Sequence, residues 1–243
     1  MFETAAALLC AHLLADFITQ TDWMVAHKKR LWVLALHIAF VIGWAALLLG
    51  SIDWPLLMVL FASHLLMDAA KVWWLDETKL PKLLTFSLDQ AFHLLILLAL
   101  VWWRPGDAAA GLWGGLPAQT QAYVWAGMAG LSGFIAAVYA GGHLIKMITA
   151  PMVLKEPVII GMENGGRNIG WLERALTFLF VMYGHPEGVG FLLTAKSIFR
   201  FGDITNAQQR EHTEYIIIGT MASFGWGLAV AILTAAAVRH WLP

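Results

Sequence analysis

Six apolar runs in the chain approach the length needed to cross a lipid bilayer, roughly 17–25 residues. They lie at about 4–24, 31–50, 55–75, 83–103, 121–147 and 214–240. Two shorter runs, at about 168–183 and 188–201, are only marginally long enough, and we expect either two tilted spans or a re-entrant helical hairpin there. The sequence therefore predicts an all-α, polytopic membrane bundle of about eight helices, six of them long and two short or re-entrant.

Composition agrees with a membrane protein. Of the 243 residues, 60% are hydrophobic and 13% are charged, whereas soluble domains carry about 25% charged residues. The near-neutral formal charge and the lack of a long basic block exclude a nucleic-acid partner. A single cysteine, Cys10, excludes an internal disulfide framework. The first run carries Glu3 and lacks a basic leader, so we interpret it as a permanent helix and not as a cleaved signal.

Basic residues are concentrated in alternate connections of the predicted bundle. They follow the first, third and fifth long runs and precede the last, whereas the connections around 51–54 and 104–121 hold a single basic residue between them. The positive-inside rule then places the basic connections in the cytoplasm and the N-terminus outside. We expect two modules: a four-helix module of two repeated hairpins over residues 1–104, and a C-terminal helical module over 121–243.

Ionisable residues interrupt the apolar runs in a repeated pattern. His12, Asp16 and Gln20 are spaced four apart, so on an α-helix they share one face. Two later runs repeat the spacing, the second in reverse order: His64-x-x-x-Asp68 and Asp89-x-x-x-His93. Ionisable groups are costly at bilayer depth, and those that persist usually line a functional interior. The repetition predicts one shared polar site.

The repeated hairpins also predict how that site is assembled. A pseudo-twofold axis along the membrane normal would bring the two sets of polar residues together in a four-helix bundle, within one leaflet of the inner face. Imidazole and carboxylate without thiolate suit one or two divalent ions, zinc first, with iron or manganese as alternatives. The predicted metal ligands are His12, Asp16, His37, His64, Asp68, Asp89 and His93. The alternative is that these residues only join helices, through hydrogen bonds worth about 1 kcal/mol each.

A second polar cluster lies in the C-terminal half. Arg167 and Arg174 are one heptad apart and Lys196 and Arg200 are one turn apart, so each pair shares a helix face. We predict a cationic pocket that holds phosphate or carboxylate. Together with Gln20, the predicted substrate-binding residues are Arg167, Glu173, Arg174, Lys196, Arg200 and Glu214. Internal ion pairing, with Glu173 or Glu214 against a basic partner, is the open alternative.

At these residues the sequence resembles DUF3307, an uncharacterised family of bacterial multi-pass membrane proteins. Segments 12–20, 64–68 and 89–93 resemble its N-terminal signature, and segments 169–174, 195–197 and 214–220 resemble the pattern of its longer members. The resemblance implies a multi-pass protein of the bacterial inner membrane but no activity, because the family has none assigned. The His-x-x-x-Asp helices are more distantly similar to membrane-bound metal-dependent hydrolases, although the chain lacks their Arg-x-x-Thr-His-Ser signature.

These features predict a metal-dependent hydrolase or transferase that acts on an anionic, phosphate-bearing and lipid-like substrate near the cytoplasmic leaflet. The metal would activate water or polarise a phosphoryl oxygen, with Asp16 or Asp89 as the catalytic base. The expected partners are membrane lipid and this small amphiphile; the oligomeric state is left open. Two other classes stay open, a di-iron-type oxidoreductase acting on a lipid and a metal or proton transporter. The nearly all-apolar helices on the outer side of the site count against transport.

Overall fold

The computed structural model describes residues 1–152, 164–198 and 207–242, and the side chains of these except 207–213. The described residues form helices and turns, with no strand among them, so the predicted all-α class is confirmed. Six stretches are long and apolar enough to cross a membrane: Phe2–Thr19, Leu31–Leu49, Trp54–Glu77, Lys82–Trp103, Ala118–Met152 and Glu214–Val238. They correspond to the six long apolar runs of the sequence.

The helices are named in chain order. They are α1 (Phe2–Leu14), α2 (Asp22–His27), α3 (Leu31–Leu49), α4 (Trp54–Trp73), α5 (Lys82–Trp103), α6 (Asp107–Ala110), α7 (Ala118–Ile135), α8 (Gly141–Thr149), α9 (Gly165–Met182), α10 (Glu187–Ile198) and α11 (Ala207–Val238). Five-residue π-helical turns follow α1 and α7, at Ala15–Thr19 and Ala136–Ala140. The chain divides into two compact units, the first being Met1–Ile135 with Ala237–Pro243 and the second Ala136–Ala236.

Four long helices of the first unit form a bundle. Helix α1 packs against α3 and α5, and α4 packs against the same two helices, so the four make a closed ring. Helix α7 packs on α1, where Cys10 and Ser132 are both buried. Large apolar side chains such as Leu66, Leu95 and Leu98 are exposed on the outside of the ring. This arrangement leaves the interior of the ring to the polar side chains, as in bundles that build metal sites from facing helices.

The first helix does not continue regularly through Gln20. After Leu14 the chain makes the π-turn Ala15–Thr19, in which the backbone N–H of Gln20 donates to the backbone carbonyl of Ala15 at 3.1 Å. Gln20 itself leaves the helix in an extended conformation, with ψ 98°. The expectation of one regular helical face carrying His12, Asp16 and Gln20 is therefore wrong for Gln20, because the wider turn changes the register after Leu14.

The second unit contains α9 and α10, which correspond to the two shorter apolar runs of the sequence and pack against each other. They are joined through Gly184, whose positive φ of 80° favours glycine. Helix α10 has 12 residues, a length of about 18 Å at 1.5 Å per residue. Neither helix is among the six stretches able to cross a membrane.

Tight backbone contacts close the end of the bundle formed by the connections 50–53 and 104–117. The buried Thr4 hydroxyl donates to the Pro105 carbonyl at 3.0 Å and accepts from the Ala108 amide at 3.3 Å. A Cβ at Gly111 would lie 2.3 Å from the Leu49 carbonyl oxygen, so only glycine fits there. Residue 108 and its neighbours are thereby held against the start of α1.

A pair of carboxyl groups lies in the same region. Burial, the hydrogen bond to Asp53 and the negative charge of that residue together raise the pKa of Asp107 to about 6, against the opposing effect of Arg104. The Asp53 carboxylate is held in place because its Oδ2 lies 3.4 Å from Arg104 Nε and its Oδ1 caps α4 at the Leu56 amide. The folded protein therefore keeps the proton of Asp107 at pH values up to about 6, where the unfolded chain has lost it.

Replacing Asp107 by asparagine tests this carboxyl pair. The folded state holds a proton on Asp107 that the unfolded state loses between about pH 4 and pH 6, so the free energy of unfolding should fall as pH rises through this window. Asp107→Asn should remove that dependence and be more stable than the wild type above pH 6. Thermal unfolding in detergent from pH 4.5 to pH 8 measures the difference between the two proteins. A difference that does not vary with pH would contradict the shifted pKa.

Candidate metal centre

A cluster of four histidines and three aspartates occupies the interior of the bundle, toward the end that carries the connections 20–30 and 74–81. Its members come from α1, the π-turn after it, α3, α4 and α5: His12, Asp16, His37, His64, Asp68, Asp89 and His93. All are buried except Asp16, whose side chain is 10% exposed. Neighbouring imidazole centroids are 4.0 to 6.0 Å apart. The structure thus brings all seven predicted metal ligands together.

Four of these side chains, here called the inner group, meet around the Nε2 atoms of His37 and His64. They are Asp16, His37, His64 and Asp68. The two Nε2 atoms of His37 and His64 are 3.2 Å apart, and each lies 3.5 Å from Asp16 Oδ1. Asp68 Oδ2 lies 3.3 Å from His37 Nε2 and 3.8 Å from His64 Nε2. A tetrahedral ion with bonds of 2.0–2.1 Å separates its ligands by about 3.3 Å. The distances of the two imidazole nitrogens to each other and to either carboxylate are close to that spacing.

The edge group consists of Asp89 and His93, both on α5. Asp89 Oδ1 lies 3.3 Å from His93 Nε2. Ligand-type atoms of these two residues and of Asp68 lie within 4.8 Å of one another, and so do those of Asp16, His64 and His93. The edge group can therefore complete a three-ligand set only by sharing a residue with the inner group.

Each of the three aspartates has one bound oxygen and one without a hydrogen-bond partner among the described residues. The bound oxygens are held by Lys28 Nζ (2.8 Å to Asp68 Oδ1), Lys71 Nζ (2.6 Å to Asp89 Oδ2) and Gln90 Nε2 (3.4 Å to Asp16 Oδ2). The other oxygens, Asp16 Oδ1, Asp68 Oδ2 and Asp89 Oδ1, are buried without a partner, as is His93 Nε2. Because buried polar atoms rarely stay unpaired, these are the atoms that suit an ion.

Three further residues touch the cluster but were not predicted from the sequence: Lys28, Lys71 and Gln90. In the sequence both lysines count only toward the positive-inside pattern. A local signal existed for Lys71, which lies one helical turn after Asp68 on α4, and for Gln90, which follows Asp89. No local signal marks Lys28, which lies just after α2 and contacts a carboxylate 40 residues away.

The two sides of the cluster differ in exposure. Lys28 and its carboxylate partner are almost fully enclosed, with side chains 9% and 3% exposed. Lys71 is 26% exposed, and Gln90 and Asp16 are partly exposed next to it. Because Gln90 bonds to both Asp16 and Asp89, these residues form one connected polar edge. A ligand that reaches the cluster from outside would meet this edge first.

A cavity about the size of one water molecule lies on the other side of the histidines. His12, His64 and His93 form one wall. Apolar side chains from all four helices of the ring form most of the rest: Leu8, Ala11, Val41, Leu60, Ile96 and Leu97. The bundle interior thus becomes apolar directly beyond the imidazoles.

The predicted substrate-binding residue of the first unit lies at the end of the π-turn. The side-chain nitrogen of Gln20 is buried and has no hydrogen-bond partner within the described part of the chain. No hydrogen bond links Gln20 to the cluster among these residues. Its substrate-binding role stays a prediction.

The predicted cationic pocket lies in the second unit, apart from Arg200, which is outside the described residues. Lys196 Nζ is paired with Glu173 Oε2 at 2.7 Å. Arg174 is 3% exposed, and its guanidinium donates to the Val138 carbonyl and, at 2.9 Å, to the Ser223 hydroxyl. Arg167 is exposed and stacks over Trp171, and Glu214 is exposed. The contacts of Glu173, Arg174 and Lys196 favour the alternative in which these residues pair with one another or with nearby polar groups of the protein. Anion binding by these residues stays a prediction.

The described residues define an all-helical protein with six helices long and apolar enough to cross a membrane and a cluster of histidines and aspartates between four of them. Residues 5–110 match the family described as "Protein of unknown function (DUF3307)". The resemblance is confirmed over this segment, which contains every residue of the cluster; the resemblance expected beyond residue 110 lies outside the match. No curated protein and no solved structure matches the chain.

Lys28 and Lys29 provide a matched test of the buried ion pair. Lys28→Met leaves the buried Asp68 carboxylate without its cation, and we expect a loss of about 3–5 kcal/mol in the free energy of unfolding. Lys29 pairs with Glu77 on the surface, where both side chains are more than half exposed, so Lys29→Met should cost less than about 1 kcal/mol. Unfolding of both variants in detergent without added metal gives the comparison. Equal effects would contradict a buried pair at Lys28.

Proposed function

We propose that the protein is an integral metalloprotein of the bacterial inner membrane that holds divalent metal between α1, α3, α4 and α5. The observation that supports this most is that all three aspartates leave one buried oxygen without a hydrogen-bond partner next to imidazole nitrogens. Side chains that only joined helices would use those atoms in bonds to one another. Nitrogen and oxygen ligands without thiolate suit zinc, with iron or manganese as alternatives.

The proposed orientation places the N-terminus outside and the cluster in the cytoplasmic half of the membrane. The connections and helix ends at the cluster end of the bundle hold six of the eight Lys and Arg residues of the first unit, including Lys29 and Arg30, which the positive-inside rule assigns to the cytoplasm. We further propose that α9 and α10 form a re-entrant hairpin. Helix α10, at about 18 Å, is shorter than the hydrocarbon core of about 30 Å.

The proposed reaction is hydrolysis or group transfer on a phosphate-bearing amphiphile. A divalent ion held here would polarise a phosphoryl oxygen and make bound water a stronger nucleophile. Asp16 and Asp89, whose Oδ2 atoms bond to Gln90 and Lys71 at the partly exposed edge, are the proposed catalytic bases. Lys71, the cation at the same edge, can orient an anionic group. The apolar wall beyond the imidazoles offers no polar path across the bundle, which favours an enzyme over a transporter.

Metal content tests the proposed site. We expect protein purified without a chelator or a histidine tag to contain at least about one equivalent of zinc, manganese or iron. The variant His64→Ala/His93→Ala should lose it, and His185→Ala, which changes an exposed histidine paired with Glu187, should retain it. Elemental analysis of the three proteins gives the answer. Iron with a near-ultraviolet band would favour the di-iron oxidoreductase, and folded wild-type protein without metal would refute the site.

Turnover tests the proposed reaction. Metal-loaded protein in mixed micelles should release phosphate from a phosphomonoester lipid or cleave a phosphodiester lipid. Asp16→Asn and Asp89→Asn should each lower the rate about 10²–10⁴-fold, because a positioned acid or base contributes that much. Asp22→Asn, at an exposed position on α2, is the control and should leave the rate unchanged. Turnover that survives chelation or both active-site substitutions would contradict the proposed mechanism.

A further inference from the structure

The formal charge of the cluster limits how many ions it can hold. Three carboxylates, from Asp16, Asp68 and Asp89, face two ammonium groups, from Lys28 and Lys71. Histidines that bind metal are neutral. Within the described part of the chain, no other charged side chain lies within ion-pair distance of these groups. With neutral imidazoles, the side chains of the cluster therefore sum to one negative charge.

Each added ion changes this balance by two charges. A first divalent ion leaves one positive charge in excess, about as far from neutrality as the cluster without metal. A second divalent ion would leave three positive charges in a bundle interior closed by apolar side chains. Buried charge is costly unless it is paired, so the second ion requires a compensating anion.

The geometry distinguishes the two ions. In the inner group, the Nε2 atoms of His37 and His64 lie near tetrahedral spacing with Asp16 Oδ1 and with Asp68 Oδ2, so an ion there would be held mainly by ligands of the chain. The edge group supplies only Asp89 and His93 and must share a further ligand, so an ion there keeps coordination positions for other molecules. Structural metal sites are closed by protein ligands, as the inner group is. Metal sites that bind substrate keep an open coordination position, as the edge group does. Lys71, partly exposed and 2.6 Å from Asp89, places a positive charge at the open position.

We infer that the cluster holds one divalent ion at the inner group and takes a second at the edge group only together with a phosphate-type oxyanion that Lys71 also contacts. This inference rests on the proposed metal site. The oxyanion carries two negative charges, as inorganic phosphate or a phosphomonoester lipid headgroup does. The two together leave one positive charge in excess, as in the state with one ion. The substrate then completes the site that acts on it, which explains why an anionic substrate suits a centre that already contains two lysines.

Binding of the second ion and of the anion must be coupled in both directions. If phosphate increases the affinity of the protein for the second ion by a given factor, the second ion increases its affinity for phosphate by the same factor. We expect a factor of about tenfold or more, within the usual range of such couplings. Lys71→Met should largely remove the coupling because it removes the anion contact. Lys71→Arg keeps the charge and the donors and should retain it, which a loss of packing alone would not explain.

The test is equilibrium dialysis of the full-length protein in detergent against micromolar zinc, with bound zinc measured by elemental analysis. One arm contains no anion, one contains inorganic phosphate, one contains short-chain phosphatidate in mixed micelles, and one contains phosphatidylcholine as a lipid control. The wild type and Lys71→Arg should bind one zinc without anion and a second with phosphate, phosphatidate or both. Which of the two anions acts identifies a soluble or a lipid source.

Several results would overturn the inference. Two zinc ions bound without anion, one zinc ion in every arm, or an undiminished anion effect in Lys71→Met would each contradict it while leaving the proposed metal site intact. An equal effect of phosphatidylcholine would contradict the requirement for two negative charges. Absence of zinc from every sample would refute the metal site and the inference together.

Discussion

Three carboxylates inside a ring of apolar helices must be neutralised, and the bundle depends on how this is done. Lys28 and Lys71 each bind one oxygen of an aspartate, and Gln90 binds one oxygen of the third. Each contact also fixes the orientation of the carboxylate, so that its second oxygen faces an imidazole. Partners that orient a ligand in this way determine the properties of metal sites as much as the ligands themselves. The same contacts join α2 and its following residues to α4, and α4 to α5.

The parts of this structure that were predictable are those with a local or periodic cause. Bilayer-length apolar runs indicated the six long helices, and ionisable residues within those runs indicated the cluster. Lys28 was not predictable, because its carboxylate lies 40 residues away and nothing near it in sequence marks the contact. The fate of Gln20 was also hidden, since helical spacing assumes a regular turn and no single residue type signals the π-turn before it. The reaction, the metal and the substrate depend on molecules outside the chain.

Both π-turns in the described part of the chain lie beside a buried polar group. The first contains Asp16, which belongs to the cluster. In the second, the carbonyl of Val138 accepts from Arg174, and the carbonyl of Ala136 accepts from the indole of Trp226. A π-turn adds one residue to a helix and disturbs its regular ladder, and such turns are frequent at functional sites. Here they let long apolar helices bring a carboxylate, or a free carbonyl, to positions that a regular helix would not reach.

The ion pair between Lys28 and Asp68 has a consequence for biogenesis. The chain leaves the ribosome from its N-terminus, so α1 to α3 are made before α4 supplies the carboxylate that Lys28 needs. The first hairpin alone contains Asp16, His12 and His37 but no lysine contact to any of them in the completed fold. The buried partner of Lys28 is supplied only by the second hairpin, so the four helices depend on one another to complete the cluster.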